Sequence, residues 1–576
     1  MFSSRGAFLL FIALAELACR KQTPGPPPRY AILSFENLSG NPSLDWTGRA
    51  ASETLAVSLH GAMDGPVLTS AELSGFGPAL GPRPVSAPGI SSEHQEARAA
   101  GATRLIEGYV ERAGSKVRIT ATEEDLSTGK SLRIVTAADT SPLAALNKIA
   151  RQFSSHPKPP PTENLSALRL YSIALESPAA DSIGDLEQAL RLDPDFGAAW
   201  VTLAGTVART DRAAAEDVIA RARQHKLDPL TLATLDLDAA SLHSDRSARI
   251  EAMRKIASLS PGDDLPLRTL AEAETGAGQF AAAAADWKKL TILRPDDPLA
   301  WNNLGYARSY AGDYNGALAA LREYARLRPK DANPHDSIGD LNYSWRKFTE
   351  AAAAYLRAHT AQPDFEQYGD LYKAAWAKFR AGDKAGADAL FSQFRAQRTK
   401  TADGLMPLLV ADWLYRTGRK SEAIAALRST VAGTASAPVR GNGYSQLTIW
   451  DLLAHDREQA GKDALAIGPR LLDGPMLISR FAALPSAGAS EWETRANRLI
   501  PASMGTLRRL ALGYALLLDG KREAAIPVWE QIAEESGPTD FFSRAVDKRL
   551  RNKPLEHPLL PDPVNLNQFM GVLDSL

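Results

Sequence analysis

The chain is poor in the residues that make covalent or metal-held structure. It has one cysteine, Cys19, in 576 residues. A single thiol allows no internal disulfide and no cysteine-based zinc site, so the fold depends on packing. The nine histidines are scattered and form no His-Glu-x-x-His pair, whereas a metal needs ligands converging on one point. No charge of one sign dominates, since 66 Lys and Arg against 67 Asp and Glu leave a net charge of −1. That balance supplies neither a basic field for nucleic acid nor an acidic tail for a cationic partner. The apolar run from Ala7 to Ala15 is shorter than the roughly 20 residues that span a bilayer. No metal, no cofactor and no nucleic acid are expected.

The motifs of catalysis are missing too. Thr128-Gly129-Lys130-Ser131 looks like the end of a phosphate loop, but Glu124 stands where the first glycine is required. The segment also lies between two predicted strands, so it reads as a hairpin turn. Gly75-Phe76-Gly77 lacks the third glycine and following helix of a dinucleotide fingerprint. Glu123-Glu124-Asp125 reads as a solvated strand edge that blocks aggregation rather than an acid/base pair. There is no Gly-x-Ser-x-Gly. No catalytic residue is expected, and the chain is not expected to be an enzyme.

What is present begins at the N-terminus. Residues 1–19 combine Arg5, the apolar run and small residues, as a secretory signal does. They also resemble a bacterial lipoprotein signal, in which a Cys after Leu-Ala is lipidated, here Cys19 after Leu17-Ala18. Glu16 departs from that pattern, where Leu is usual. Two alternatives stay open: cleavage after Ala13-Leu14-Ala15 to a soluble protein, or an uncleaved anchor. Residues 20–29 are proline-rich and read as a tether, with the folded part starting near Tyr30. By analogy with that family, Arg20 after the cysteine favours the outer membrane over inner-membrane retention. The expected location is therefore the cell envelope, with membrane contact through the N-terminus only.

Residues 30–155 carry a mixed pattern. Short β-forming runs at 30–35, 104–112, 116–126 and 131–139 are separated by turns, and 46–60 and 141–153 have helical spacing. Val117, Ile119 and Ala121 alternate with Arg118, Thr120 and Thr122, the period of antiparallel strands in a half-buried sheet. Two stretches, AILSFENLSGNPSLDWTGRAASETLAVSL and RLIEGYVERAGSKVRITATEEDLSTGKSL, resemble the opening and closing of the TolB amino-terminal-like domain. The resemblance implies a small non-catalytic α/β module of assembly or sensing, commonly followed by tetratricopeptide repeats. The Gly/Pro stretch at 75–92 is longer than that pattern leads one to expect.

From about 163 to 545 the chain is Ala- and Leu-rich with helical spacing, and it repeats. Pro295, Pro329 and Pro363 lie 34 residues apart, as do Ala283, Ala317 and Ala351, and Trp287, Leu321 and Tyr355. Gly305 and Gly339 keep the same interval. A 34-residue period of this kind is the signature of tetratricopeptide repeats. Eight to ten helix pairs, clearest over 264–363, should stack as a right-handed solenoid with a concave face. Trp301, Leu304 and Leu321 should fill the space between helices, Gly305, Gly339, Ala317 and Ala351 should allow close approach, and Pro329 and Pro363 should end the second helices. Tyr355 takes the bulky place of its repeat. Ile449–Leu472 reads as a drifted helical repeat, and residues 546–576 as a cap or tail.

The fold class expected is thus a small α/β domain plus an all-α repeat solenoid. The first helix of each pair should face inward, placing Arg268, Glu272, Asn302, Tyr306, Tyr310, Asp336, Asp340 and Tyr343 on the partner-binding side. Mixed polar groups with tyrosines suit protein or peptide contacts. Asn302 fits one place of a carboxylate clamp, but Tyr306, Asp336 and Asp340 do not. The expected function is a non-catalytic scaffold. The alternative is a sensor whose α/β domain binds a small ligand and biases the repeats.

Overall fold

The computed structural model describes residues 27–68, 73, 90–399, 404–468, 474–538, 540–555 and 569–576. Cys19, the signal-like segment and the Gly/Pro stretch up to residue 89 lie outside the described residues. The chain forms two compact units. One runs through Leu270 and includes Lys289–Asp296; the other comprises Ala271–Lys288 and Asp297–Leu576.

The first unit opens with a mixed sheet. Its strands are β1 (Tyr30–Ile32), β2 (Glu36–Asn37), β3 (Val67–Leu68), β4 (Arg104–Ala113), β5 (Lys116–Asp125) and β6 (Lys130–Asp139). The order is β3-β1-β4-β5-β6, with β2 pairing β4 off this path. The predicted hairpins are there: β4, β5 and β6 are antiparallel neighbours, and Gly129 turns the second hairpin with φ 65°. β1 instead pairs in parallel with both β3 and β4, a long-range arrangement that no local period encodes. Val117, Ile119, Ala121, Val135 and Ala137 share one core with residues of helices α1 (Trp46–Leu59) and α3 (Pro142–Phe153). Helix α2 (Ile90–Ala99) precedes β4.

Two expectations are corrected here. Glu123 is not on a solvated edge: β5 is an inner strand, and Glu123 is only 5% exposed. It lies 3.5 Å from the Arg133 guanidinium on β6. Nor is Arg29 part of a tether. It is buried, its backbone meets Thr103 and Arg104, and its guanidinium reaches Ala100 O at 2.7 Å and the Asp264 carboxylate.

From Leu165 onward helices follow one another. Those of the first unit are α4 (Leu165–Glu176), α5 (Ala179–Leu192), α6 (Gly197–Ala208), α7 (Arg212–Ala222), α8 (Pro229–Leu242) and α9 (Arg246–Leu259). Helix α4 packs on α1, so the α/β part and the first helix pairs share one unit. Helices α10 (Asp264–Gly276) and α11 (Phe280–Leu293) each contribute to both units.

The second unit continues with α12 (Pro298–Tyr310), α13 (Tyr314–Leu327), α14 (Asn333–Ser344), α15 (Phe348–Ala361), α16 (Gly369–Arg380) and α17 (Lys384–Thr399). Then come α18 (Met406–Arg416), α19 (Lys420–Gly433), α20 (Ala437–Leu453), α21 (Arg457–Ala466), α22 (Gly474–Ala482) and α23 (Ala489–Leu499). The last are α24 (Gly505–Leu518), α25 (Arg522–Glu535), α26 (Phe541–Leu550) and α27 (Met570–Ser575). Of the stretch read as a drifted repeat, residues 449–468 are described: α20 ends at Leu453, His455 turns the chain with φ 61°, and α21 follows.

The 34-residue pattern has the physical cause expected of it. A Cβ on Gly305 would stand 2.6 Å from Leu321 Cδ2, and one on Gly339 only 2.3 Å from Tyr355 Cε1. In each pair a small residue on the first helix faces a large one sixteen residues later; Gly513 and Trp529 repeat the arrangement at 3.0 Å. Leu304, Ala317, Leu321, Ala351 and Tyr355 are buried, whereas Trp301 is half-buried. Gly312 makes the turn at φ 90°, and Asp313 caps α13 by accepting from Gly316 N. Pro329 and Pro363 are exposed just past the ends of α13 and α15, where a residue without an N–H cannot extend the helix.

Candidate functional site

The row of first helices expected to face inward includes a buried ionic cluster in the second unit. Asp336 and Asp340 lie one turn apart on α14, so their side chains share a face. Across from them α16 brings Lys373, a residue the sequence reading did not single out. Its Nζ donates to Asp336 Oδ1 at 2.8 Å and Oδ2 at 2.9 Å, and to Asp340 Oδ1 at 3.2 Å. Tyr355 OH donates to Asp340 Oδ1 at 2.8 Å, and Tyr306 OH to Oδ2 at 3.2 Å. Lys373 is 4% exposed, which a lysine tolerates only with its charge paired.

A third carboxylate completes the cluster. Asp370, three residues before Lys373, is 2% exposed, and neither of its oxygens has a hydrogen-bond donor. Burial raises its pKa to about 6, opposed by the neighbouring Asp336 carboxyl. Asp336 is itself pushed far above the carboxylate range, first by burial and then by the Asp340 charge, against the pull of Lys373. A proton retained on Asp336 is what the Asp370 carboxylate can accept. Leading into α16, Glu366, Gln367 and Tyr368 all have positive φ, at 45°, 56° and 66°. Three non-glycine residues in that region form a strained segment, of a kind that concentrates at binding sites.

The sequence-predicted residues divide into groups. Tyr306, Asp336 and Asp340 converge on Lys373. Tyr310 lies beside Tyr306 at 6.1 Å between centroids, and between Phe280 and Phe541 at 5.1 Å each. Asn302 is half-buried on α12, with no donor for its Oδ1. Glu272 is exposed and Arg268 half-buried on α10. Tyr343 is a correction: at 4% exposure it packs edge-on to Phe348 inside the core and presents no surface. Its place matches Ser309 one repeat earlier, itself buried, rather than the open row. Asp336 is likewise buried and acts through Lys373 instead of by direct exposure. Lys373 escaped notice because its place corresponds to Ser337 one repeat earlier, outside the row read from the sequence.

The same row continues through α18 and α20. Asp412 and Arg416 pair at 3.4 Å, and Gln446 reaches Asp412 at 3.4 Å. Burial raises Asp412, with Arg416 opposing. The Arg416 guanidinium sits 4.2 Å over the Trp376 ring, a cation–π arrangement. No group of three or more His, Cys, Asp or Glu placed to hold a metal occurs among the described residues.

A second concavity, about 530 Å3, belongs to the first unit. Arg49, Glu53, Glu93, Glu96, Tyr171 and Arg209 are on its wall. Arg49 bridges Glu93 and Glu176 there. Leu73 is also on that wall, and the residues after it up to 89 lie outside the described residues.

The tetratricopeptide repeat family model matches residues 299–331, one helix pair of the array. No curated protein matches this chain. Among solved structures, the chain is similar to the C-terminal part of a TPR repeat-containing protein from Cytophaga hutchinsonii, at 17% identity over 42% of this chain and 98% of that one, with a TM-score of 0.32. It is also similar to MamA from Desulfovibrio magneticus RS-1, at 18% identity over 31% of this chain and 98% of that one, TM-score 0.26. A third is YrrB, a TPR protein with an unusual peptide-binding site, at 13% identity over 29% and 88%, TM-score 0.24. Residues 299–331 are thus a tetratricopeptide repeat, set within a long array of paired helices.

Proposed function

We propose that the chain is a non-catalytic scaffold that binds a protein or peptide segment along the inward row of its first helices. The observation that carries this reading is the Lys373 cluster, with Asp370 buried beside it and no donor near its oxygens other than the Asp336 carboxyl. A buried carboxylate with one acceptor site met and the others open costs free energy that a binding partner's N–H or cationic group can recover. Tyrosines at its rim add contact area at small entropic cost. The groups hold one another in place and offer no nucleophile with a partnered base, so the chemistry is recognition. The N-terminal segment would tether this scaffold to the envelope through lipidated Cys19, with the TolB-like module nearest the membrane.

The test is photo-crosslinking in the native cell. A benzophenone amino acid at Tyr306 or Tyr310 should trap a discrete partner. The same group at exposed Arg322, on the second helix of that repeat, should not. Equal labelling from both faces would refute an inward binding row. Intact mass of the mature protein beside Cys19→Ser checks the tether: a diacylglyceryl group lost in the variant supports it, and an unmodified Cys19 removes it.

The concavity of the first unit favours a second reading, a sensor of a small charged ligand. Two arginines and three glutamates on one wall give convergent polar groups. Ligand-dependent thermal stabilisation that Arg49→Gln abolishes would support it; no shift with any ligand of a metabolite library would leave the scaffold reading alone.

A further inference from the structure

Helix α27 does more than cap the array: Phe569–Leu576 shares a core with α24, α25 and α26 and also reaches back to α16, α18 and α20. Phe569 stacks on Tyr514 of α24 at 4.1 Å between centroids. Gly571 lies against Tyr415 of α18 and Trp450 of α20: a Cβ there would stand 3.6 Å from Tyr415 Cε1 and 3.8 Å from Trp450 Nε1. Asp574 Oδ2 accepts from Arg416 Nε at 2.9 Å, and its Oδ1 from Arg380 Nη2 at 3.3 Å. Phe569, Met570, Val572 and Leu573 are all buried.

The receiving surface belongs to the inward row. Arg380 and Arg416 are 36 residues apart and Trp450 a further 34. They hold in successive repeats the place that Tyr310 holds in its own. The segment therefore sits where a bound peptide would sit. It uses the parts of peptide recognition: apolar side chains in a buried aromatic setting, and a carboxylate clamped by two arginines. Arg416 is 3% exposed on its side chain, while Arg380 and Asp574 keep about a third of theirs in water, so the clamp is buried on its inner side and favours an anion.

We propose that Phe569–Leu576 is an intramolecular peptide ligand, and that the surface it covers takes partner segments of the same chemistry: a short apolar helical turn followed by an aspartate or glutamate. The proposal rests on the inward-row reading above and adds the ligand class and a competitor. A segment tethered within the chain acts at a local concentration of order millimolar. A partner must exceed that competition, so binding is held off until a tighter or multivalent segment arrives.

The probe is a fluorescein-labelled peptide of residues 566–576, titrated against the full chain and against a Val572→Glu/Asp574→Arg variant. The variant should keep wild-type far-UV circular dichroism and bind the peptide at least about tenfold tighter than wild type. Arg380→Glu in the variant should weaken binding at least fivefold, and a peptide carrying Asp574→Lys should recover part of it. A folded variant that binds no peptide overturns the proposal. Should the variant not fold, hydrogen exchange of the wild-type chain decides. Amides of 572–575 exchanging well before those of α18 and α20 support a releasable ligand, and exchange only with those helices overturns it. Inward crosslinks at Tyr306 without peptide binding would leave the scaffold standing and remove this proposal alone.

Discussion

The ring of Tyr355 fills the space beside Gly339 that any larger residue would need, with a built Cβ only 2.3 Å from Cε1. The same ring carries the hydroxyl that donates to Asp340 at 2.8 Å. A packing glycine thereby positions one wall of the inward polar cluster, and repeat architecture and candidate site cannot be altered independently there.

Gly339→Ala should therefore destabilise the second unit by about 1–3 kcal/mol through overpacking. Gly184 is the control. It lies inside α5 with no atom within 4 Å of a built Cβ, so Gly184→Ala should be neutral or stabilising by up to about 1 kcal/mol. Urea unfolding of both variants distinguishes the cases. Equal effects would mean that the close approach at Gly339 has no energetic weight.

Lys373→Met removes the cation that Asp336 and Asp340 share. Stranding buried carboxylates costs about 3–5 kcal/mol. The loss should be greatest above about pH 9, where Asp336 also ionises in the folded state, and shrink as pH falls through the raised carboxyls, about 9 for Asp336 and about 6 for Asp370. Melting temperatures across that range give the answer. A pH-independent loss would point to packing of the lysine stem instead.

Asp370→Asn should do the opposite. Burial raises the native pKa of Asp370 to about 6, above the roughly 3.9 of an unfolded chain. Between those values the folded state holds the proton more tightly, so stability is fully present below the lower value. It is lost as pH rises through the upper one. Asparagine has no such loss. The variant should gain about 1–3 kcal/mol at pH 7.5 and little at pH 4, while partner crosslinking from Tyr306 weakens. Gained stability with undiminished crosslinking would show that Asp370 takes no part in binding.

Asp519 carries the reverse linkage. Burial alone would raise its pKa, but Trp492 Nε1 at 2.9 Å, Ser486 Oγ at 2.9 Å and Ala487 N hold it below the usual carboxylate range, with Arg457 at 2.7 Å adding to this. Its contribution is present above the unfolded pKa and lost as pH falls through the lower native one. Asp519→Ala should cost about 3 kcal/mol or more at pH 7 and less as the medium is acidified. Tryptophan fluorescence of the unfolding transition at pH 7 and pH 3 reads the difference.

Much of this molecule was legible in local spacing. Strands at 104–113, 116–125 and 130–139, the turn at Gly129, and the helix pairs around Gly305 and Gly339 all follow from periods of two, of helical turns and of 34 residues. Packing rules that recur along the chain leave recurring letters. Tyr306 and Asp340 were found by counting from one repeat to the next. Lys373 was not, because the row read from the sequence ended at Tyr343 and Lys373 corresponds to Ser337, which lies outside it. Tyr343 was assigned to the partner-binding face because a helix places neighbouring residues about a quarter-turn apart, so a one-residue error exchanges surface for core.

The amino-acid sequence by itself determined most elements, namely the first strand, the two long hairpins, the paired helices and the positions that must be small, but not the two-residue strands β2 and β3. The tertiary structure alone decided that β1 lies parallel between β3 and β4, that Glu123 is interior, that Lys373 meets two aspartates, and that Phe569–Asp574 returns to helices more than a hundred residues earlier. The reason is physical. A periodic pattern records contacts between residues a fixed distance apart in the chain. A contact between distant segments is chosen by complementary shape and charge after those segments have formed.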